Sequence, residues 1–260
     1  MTAEGLRPGR LRVVGLGPGD ASWITPEVAD ALRRATDVVG YSAYLDRIDP
    51  RPGLNFHRSD NRVEIERARL ALEIAADGGD VVVASGGDPG VFAMAAAIFE
   101  AIETGNREWL ALDIAVLPGI SAMQAAAARI GAPLGHDFCV LSLSDNLKQW
   151  DLIAARLAAS ADVDLVIALY NPASISRPER IFQAFDILRE SKHSQTPVVV
   201  ARAVGRPDER IVVTTLGSVD PGTIDMSTIV IVGSSETRLI PREDGGAPWC
   251  YTPRWSRRLG

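Results

Sequence analysis

The sequence predicts an α/β fold of two domains, and three observations carry that reading. Short apolar, β-branched runs such as Val81 to Ala84 alternate with Ala-rich stretches of helical spacing, the pattern of strands joined by crossover helices. Several of these runs stop abruptly in glycine, at Gly15 to Gly19, at Gly86-Gly87 and at Pro118-Gly119. At 260 residues and 47% hydrophobic content, the chain can bury one large core or two small ones. Gly131 to His136, with Pro133 and Gly135, marks a boundary. Residues 1–135 are expected to form an N-terminal α/β domain with glycine-rich loops, and residues 136–260 a C-terminal α/β domain with a mixed sheet.

Leu11 to Leu16 reads as the first strand, followed by the turn Gly15-Leu16-Gly17-Pro18-Gly19-Asp20 and a helix started by Thr25-Pro26-Glu27. The turn is not a dinucleotide fingerprint. Asp20 stands where the third glycine belongs, Pro18 lacks an N–H for a pyrophosphate, and the next strand, Asp37 to Tyr41, ends without a ribose-binding carboxylate. Asp46 to Arg62 reads as a loop with local positive charge from Arg47, Arg51, Arg58 and Arg62. A helix follows from Val63, with Glu64/Arg67 and Glu66/Arg69 as i,i+3 pairs on an exposed face, and stops at Gly78-Gly79.

The stretch Val81 to Val91 is the centre of the reading: buried strand, tight loop, then a helix Val91 to Glu103 closed by Gly105. Gly86 and Gly87 either let a ligand approach bare backbone or serve a turn that needs positive φ. Strand Asp113 to Leu117 leads to Pro118-Gly119-Ile120-Ser121-Ala122, where Ser121 is placed to cap the helix running to Gly131. In open parallel sheets ligands sit at the carboxyl ends of strands, so the loops near residues 17, 86 and 119 are expected to line one crevice.

In the second half the strands are Phe138 to Leu143, Val163 to Tyr170, Pro197 to Val204, Ile211 to Thr215 and Thr228 to Val232, with helices Leu147 to Ala159 and Arg177 to Ser191. Helices become scarce after Pro197, which predicts mixed pairing. The tail from Glu243 reads as irregular. Asn171-Pro172 closes an apolar strand, and the asparagine either favours the turn or bonds a ligand.

Composition narrows the function. A net charge of -6 opposes a general nucleic-acid binder while leaving room for arginines that receive an acidic small molecule. The longest largely apolar run, Val163 to Tyr170, falls far short of the roughly 20 residues of a bilayer span, so no membrane partner is expected. Met1 to Arg10 has no apolar signal core, and Cys139 and Cys250 have no disulfide or zinc spacing. A cytoplasmic location fits. His57, His136 and His193 are isolated, and no metal site is expected.

Gly15 to Asp20, Ser85 to Gly90, Pro118 to Ala122 and Tyr170-Asn171-Pro172, in that order and spacing over about residues 11 to 235, resemble the tetrapyrrole methyltransferases of cobalamin and siroheme synthesis. Val39-Gly40-Tyr41-Ser42-Ala43-Tyr44-Leu45-Asp46 and Ala168-Leu169-Tyr170-Asn171-Pro172-Ala173-Ser174 look most like the ring-contracting precorrin-3B 17-methyltransferase branch. The resemblance implies two α/β domains with S-adenosylmethionine in the cleft between them, S-adenosylhomocysteine as product, an anionic tetrapyrrole as substrate, and a homodimer. Carried over residue by residue, the cofactor contacts are Pro18, Gly86, Gly87, Asp88, Val91, Ser121, Ala122, Asn171, Ala203 or Val204, and Thr228. Asp88 either stabilises the sulfonium or accepts loop N–H groups. The three loops of the first half contain no lysine, which suits a cationic cofactor.

For this branch the resemblance implies methylation at carbon 17 coupled to ring contraction, in which a tertiary hydroxyl collapses to a carbonyl. Alignment of the two reacting atoms is then the protein's main task, with proton transfers in support. Uroporphyrinogen-methylating relatives carry a carboxylate after the second strand, where this chain has Tyr41-Ser42. Asp20 and Ser42 are therefore the candidates for polar assistance, against plain roles as a helix cap and a turn residue. Arg47, Arg58 and Arg62 are the candidates to receive substrate carboxylates. The rival readings are another macrocycle methyltransferase, the same step on a cobalt-containing substrate, an RNA or protein methylase, and a cofactor-binding sensor or pathway scaffold.

Overall fold

The computed structural model describes residues 9–60, 63–173 and 177–255, and its contacts divide the chain into two compact units, residues 1–121 and 122–260. That division falls ahead of the boundary expected at 135/136. The helix after Ser121 belongs with the second unit because the Met123 N–H donates to Tyr170 Oη at 3.0 Å.

In the first unit β1 (Arg10–Gly15), α1 (Pro26–Arg34), β2 (Asp37–Tyr41), α2 (Ser42–Leu45), β3 (Asn55–Ser59), α3 (Glu64–Ala76), β4 (Asp80–Ser85), α4 (Met94–Thr104) and β5 (Asp113–Leu117) follow in order. The strands form one parallel sheet in the order β3-β2-β4-β1-β5. Both faces are covered, as the apolar runs require. Leu11, Val13, Val39, Val81 and Val83 pack toward α3 and α4, while Val14, Val38, Val82 and Ala84 pack on the α1 side. Alternate residues along each strand thus enter separate apolar layers. Thr25 caps α1, its hydroxyl accepting from Val28 N–H at 3.3 Å, with Pro26 in the first turn as expected.

The second unit holds α5 (Ala122–Ile130), β6 (Gly131–Ala132), β7 (Phe138–Ser142), α6 (Trp150–Asp162), β8 (Val166–Tyr170), α7 (Arg180–Ser191), β9 (Pro197–Arg202), β10 (Arg210–Thr215), β11 (Thr228–Val232), β12 (Arg238–Ile240) and β13 (Trp249–Tyr251). Its main sheet runs β10-β9-β11-β8-β7, with only β7 and β8 parallel, so the mixed pairing expected from the sparse helices is present. Ile167, Leu169, Val198, Val200, Val230 and Val232 meet Ile153, Leu157, Ile181 and Phe185 of α6 and α7. Strands β12, β13 and β6 form a separate small sheet, and β13 lies within the tail from Glu243 expected to be irregular.

Several boundaries move for identifiable reasons. α4 starts at Met94 rather than Val91 because Phe92 has φ 52°, outside the helical region, and Ser85 Oγ accepts the Met94 N–H at 3.3 Å. β8 begins at Val166, after Asp164 turns the chain at φ 57°. β3 crosses the expected arginine loop. Arg67 is not on an exposed face: it is buried, donating from Nε to Ser59 Oγ at 2.8 Å and from Nη2 to Asp60 O at 2.6 Å.

At the amino end of β2, Asp37 is buried and accepts from His57 Nε2 at 2.7 Å, Thr36 Oγ1 at 2.7 Å and Asn55 Nδ2 at 3.2 Å. Burial works to raise the carboxyl's pKa, and these hydrogen bonds reverse it, leaving the group below its ordinary 3.8. Such a group stabilises the fold above pH 3.8, and the contribution is lost as the pH falls below it. Asp37→Asn is therefore expected to lower unfolding free energy at pH 7 by about 1–3 kcal/mol. Urea titrations should show the gap from the parent protein narrowing below pH 4; an equal gap at every pH would assign the loss to packing.

Candidate functional site

Because β4, β1 and β5 are neighbours, the loops leaving their carboxyl ends, 16–20, 86–93 and 118–121, lie side by side. They are bound into one body by backbone. Gly17 and Gly87, at φ 65° and 68°, exchange hydrogen bonds, N–H to O at 3.1 Å and 3.0 Å. A Cβ on either Gly15 or Gly119 would stand 2.4 Å from the Gly87 carbonyl oxygen, so both residues must be glycine for the loops to meet. Asp88 completes the junction. Its Oδ1 accepts from Gly90 N–H at 2.8 Å and its Oδ2 from Gly119 N–H at 3.0 Å.

Of the two readings open for these glycines, ligand approach and a turn of positive φ, the contacts display the second together with close packing of the chain on itself. The space at Gly15 and Gly119 is filled by the Gly87 carbonyl, and Gly87 itself has the positive φ of 68° that the turn reading requires. A Cβ on Gly86 would stand 2.8 Å from Tyr44 Cε1, so that residue makes room for an aromatic ring of the chain itself. For Asp88, acceptance of loop N–H groups is the role the geometry displays. Pro18 and Ser121 are buried and Val91 is half-buried within these loops, while Ala122 opens α5 in the second unit.

The polar candidates also have local work. Asp20 Oδ1 accepts from the Ser22 N–H at 2.8 Å and from its hydroxyl, capping the short turn 21–23. Ser42 donates to Ser59 O at 3.3 Å. Arg47, expected to face substrate, instead donates to Gly17 O at 2.9 Å, Leu16 O at 2.6 Å and Gly19 O, bracing the first loop from beneath. Arg58 is paired with Asp46 at 2.6 Å on an exposed surface, its guanidinium 5.5 Å above the Phe56 ring. Arg62 lies outside the described residues.

In the second unit, antiparallel pairing brings the ends of β8 and β9 to the start of β11. Asn171, Ala203, Val204 and Thr228 gather at that end. Asn171 has φ 50° and donates to Ser142 Oγ at 2.9 Å; Ala203 has φ 51° and donates its N–H to Ser227 O at 2.9 Å. Thr228 is buried and donates to Asp225 Oδ1 at 2.8 Å. Burial would raise the Asp225 pKa, but bonds from Arg202 and Thr228 hold it below the usual value. The non-glycine residues with positive φ among those described are Phe92, Asp164, Asn171 and Ala203, and three of these four occupy loops singled out for a ligand. Left-handed backbone without glycine is costly for Phe92 and Ala203, and such strain collects at binding sites.

Charge is unevenly spread over the first unit's loops. The central and third loops, 86–93 and 118–121, carry the Asp88 carboxylate and no cationic side chain, whereas the Arg47 guanidinium sits under the first. Among the described residues no group of three or more His, Cys, Asp or Glu could hold a metal ion, and no helix is long and apolar enough to cross a membrane.

Asp88→Ala is expected to cost about 1 kcal/mol, chiefly by orphaning the half-buried Gly119 amide. Hydrogen exchange at Gly90 and Gly119 should accelerate while the β4 core amides remain protected; unchanged exchange at Gly119 would show that Asp88 does not join the loops.

The family model for Tetrapyrrole (Corrin/Porphyrin) Methylases matches residues 10–220. A Sinorhizobium sp protein named precorrin-3B C(17)-methyltransferase is 53% identical over 247 residues, covering 95% of this chain and 97% of its own. A Salmonella typhimurium protein named probable cobalt-factor III C(17)-methyltransferase is 40% identical, covering 87% and 93%. The crystal structure of the methyltransferase CobJ superposes with a TM-score of 0.89 at 51% identity, over 94% of this chain and all of that one. With the family model spanning most of the chain and a near full-length relative above half identity, the protein belongs to the tetrapyrrole (corrin/porphyrin) methylases.

Proposed function

We propose that the protein methylates precorrin-3B at carbon 17 with S-adenosylmethionine and contracts the ring to precorrin-4, a step of cobalamin biosynthesis that releases S-adenosylhomocysteine. The near end-to-end match to the Sinorhizobium relative carries this reading. The Salmonella relative favours a second, the same step on a cobalt-containing substrate, at lower identity.

The loops suit a sulfonium. When bound, S-adenosylmethionine supplies an electrophilic methyl group on a cationic sulfur. The central and third loops offer it backbone groups and a fixed carboxylate, with no ammonium or guanidinium to repel it. The Asp88 oxygens hold the Gly90 and Gly119 N–H groups, so the carboxylate that would face the sulfonium is also the one that fixes the loops' shape. The proposed contacts remain Pro18, Gly86, Gly87, Asp88, Val91, Ser121, Ala122, Asn171, Ala203, Val204 and Thr228. Phe92 joins them on the strength of its backbone, exposed at the mouth of the central loop.

Arg58 and Arg62 are the proposed carboxylate receivers, Arg58 by exchanging the exposed Asp46 for substrate. Asp20 and Ser42 are proposed to orient the substrate hydroxyl as fixed hydrogen-bonding groups. A cytoplasmic homodimer completes the reading, and Cys139 and Cys250 are both free thiols.

Incubation of the protein with precorrin-3B and S-adenosylmethionine should add the mass of one methyl group and change the absorption spectrum. No conversion of either the metal-free or the cobalt-bound substrate would overturn the reading. Asp20→Ala and Ser42→Ala should each lower kcat by about 10²-fold as the substrate hydroxyl loses its orientation; near-normal turnover in both removes them from that role.

A further inference from the structure

The stretch Val39 to Asp46 contains two phenols whose place the geometry explains. Gly40 leaves room for Leu45: a Cβ there would stand 2.9 Å from Leu45 Cδ2, and Leu45 is fully buried. α2 thereby folds tightly back on β2 and sets Tyr44 beside the central loop. The Tyr44 ring lies edge-on to Tyr41, centroids 5.4 Å apart at 87°. Its hydroxyl-bearing end reaches Gly86, with Cε1 at 2.8 Å and Cζ at 3.0 Å from where a Cβ would be. Glycine at 86 is what admits the ring.

Tyr44 is half-buried, yet its hydroxyl makes no hydrogen bond to a described residue and is not among the fully buried polar atoms. A half-buried tyrosine ordinarily finds a partner for that group. Nearby, Arg67 keeps a buried guanidinium on neutral acceptors, Ser59 Oγ, Asp60 O and Met94 Sδ. Burial pushes its pKa down, with Glu64 and Tyr44 opposing. The carboxyl end of β2 thus combines an accessible phenol donor with a buried positive charge behind it, both favourable to an oxygen acceptor on an anionic molecule.

We propose that Tyr44 is a substrate-contacting residue: its hydroxyl, held against Gly86, donates a hydrogen bond to an oxygen acceptor of the macrocycle. This rests on the methyltransferase reading above. The bond orients the substrate and breaks no covalent bond, and the ring supplies a flat apolar edge beside it.

Tyr44→Phe removes one oxygen and leaves the ring on Gly86. With precorrin-3B as substrate, kcat/KM is expected to fall 10- to 100-fold, while Tm and the Kd for S-adenosylhomocysteine stay within error and twofold of the parent, respectively. Tyr41→Phe should retain at least a third of parental kcat/KM. Parental kcat/KM in Tyr44→Phe, or the same loss appearing only in Tyr41→Phe, overturns the proposal. So does a fall in Tm or weaker S-adenosylhomocysteine binding matching the catalytic loss, which would make the hydroxyl structural. If the parent protein itself fails to convert precorrin-3B, the methyltransferase reading fails instead.

Discussion

The antiparallel exchange between Gly17 and Gly87 is the constraint on which the first unit's loops depend. Three parallel strands present loops at one sheet edge, but neighbouring loops need not touch. Here the Gly87 carbonyl enters a space bounded by Gly15 and Gly119 that no side chain could share. Backbone contact at that distance leaves little freedom, and Asp88 then ties Gly119 to the central loop. A ligand meeting these loops encounters a preorganised surface, so less ordering entropy is lost on binding.

Glycine in these loops was legible in the sequence, but its purpose was not. A missing side chain is equally compatible with a ligand, a neighbouring backbone or an aromatic ring, and only contacts distinguish them. At Gly87 the neighbour is Gly17; at Gly86 it is Tyr44. Arg67 illustrates the same limit. Its spacing from Glu64 suits an exposed helical pair, yet the end of β3 and the start of α4 bury it. β2 and β11 match their expected bounds because continuous apolar runs with both faces covered have sharp ends, and the partly exposed edge strand β5 matches because Pro118 stops it. β3, β12 and β13 escaped notice because short edge or satellite strands such as Asn55–Ser59 carry polar residues and no alternation.

Arg47 changes the electrostatic argument. The absence of lysine from the loops suggested a surface free of cations, whereas a guanidinium anchored outside the loop sequence reaches three of the first loop's carbonyls. Those carbonyls solvate it by charge-assisted hydrogen bonds without cancelling its charge, and its place at the first loop leaves the central and third loops with Asp88 as their charged side chain. The one guanidinium fixed at these loops thus lies at the first, which also carries Asp20, away from the central and third.

Backbone strain is concentrated in the loops proposed to meet the cofactor. Asp164, the fourth positive-φ residue, is explained by its own contacts: it accepts from Lys192 Nζ at 3.1 Å and from Ser235. Neither Phe92 nor Ala203 is a residue that visits the left-handed region readily. At Phe92 the consequence is visible, since the turn delays α4 until Met94 and exposes an aromatic side chain at the mouth of the central loop. A chain selected only for stability would continue the helix from Val91 and bury or replace that ring. Asn171 and Ala203 share this backbone region at the ends of β8 and β9, so the loops proposed to meet the cofactor have a strained geometry in common, and that argues for function more strongly than their glycines do.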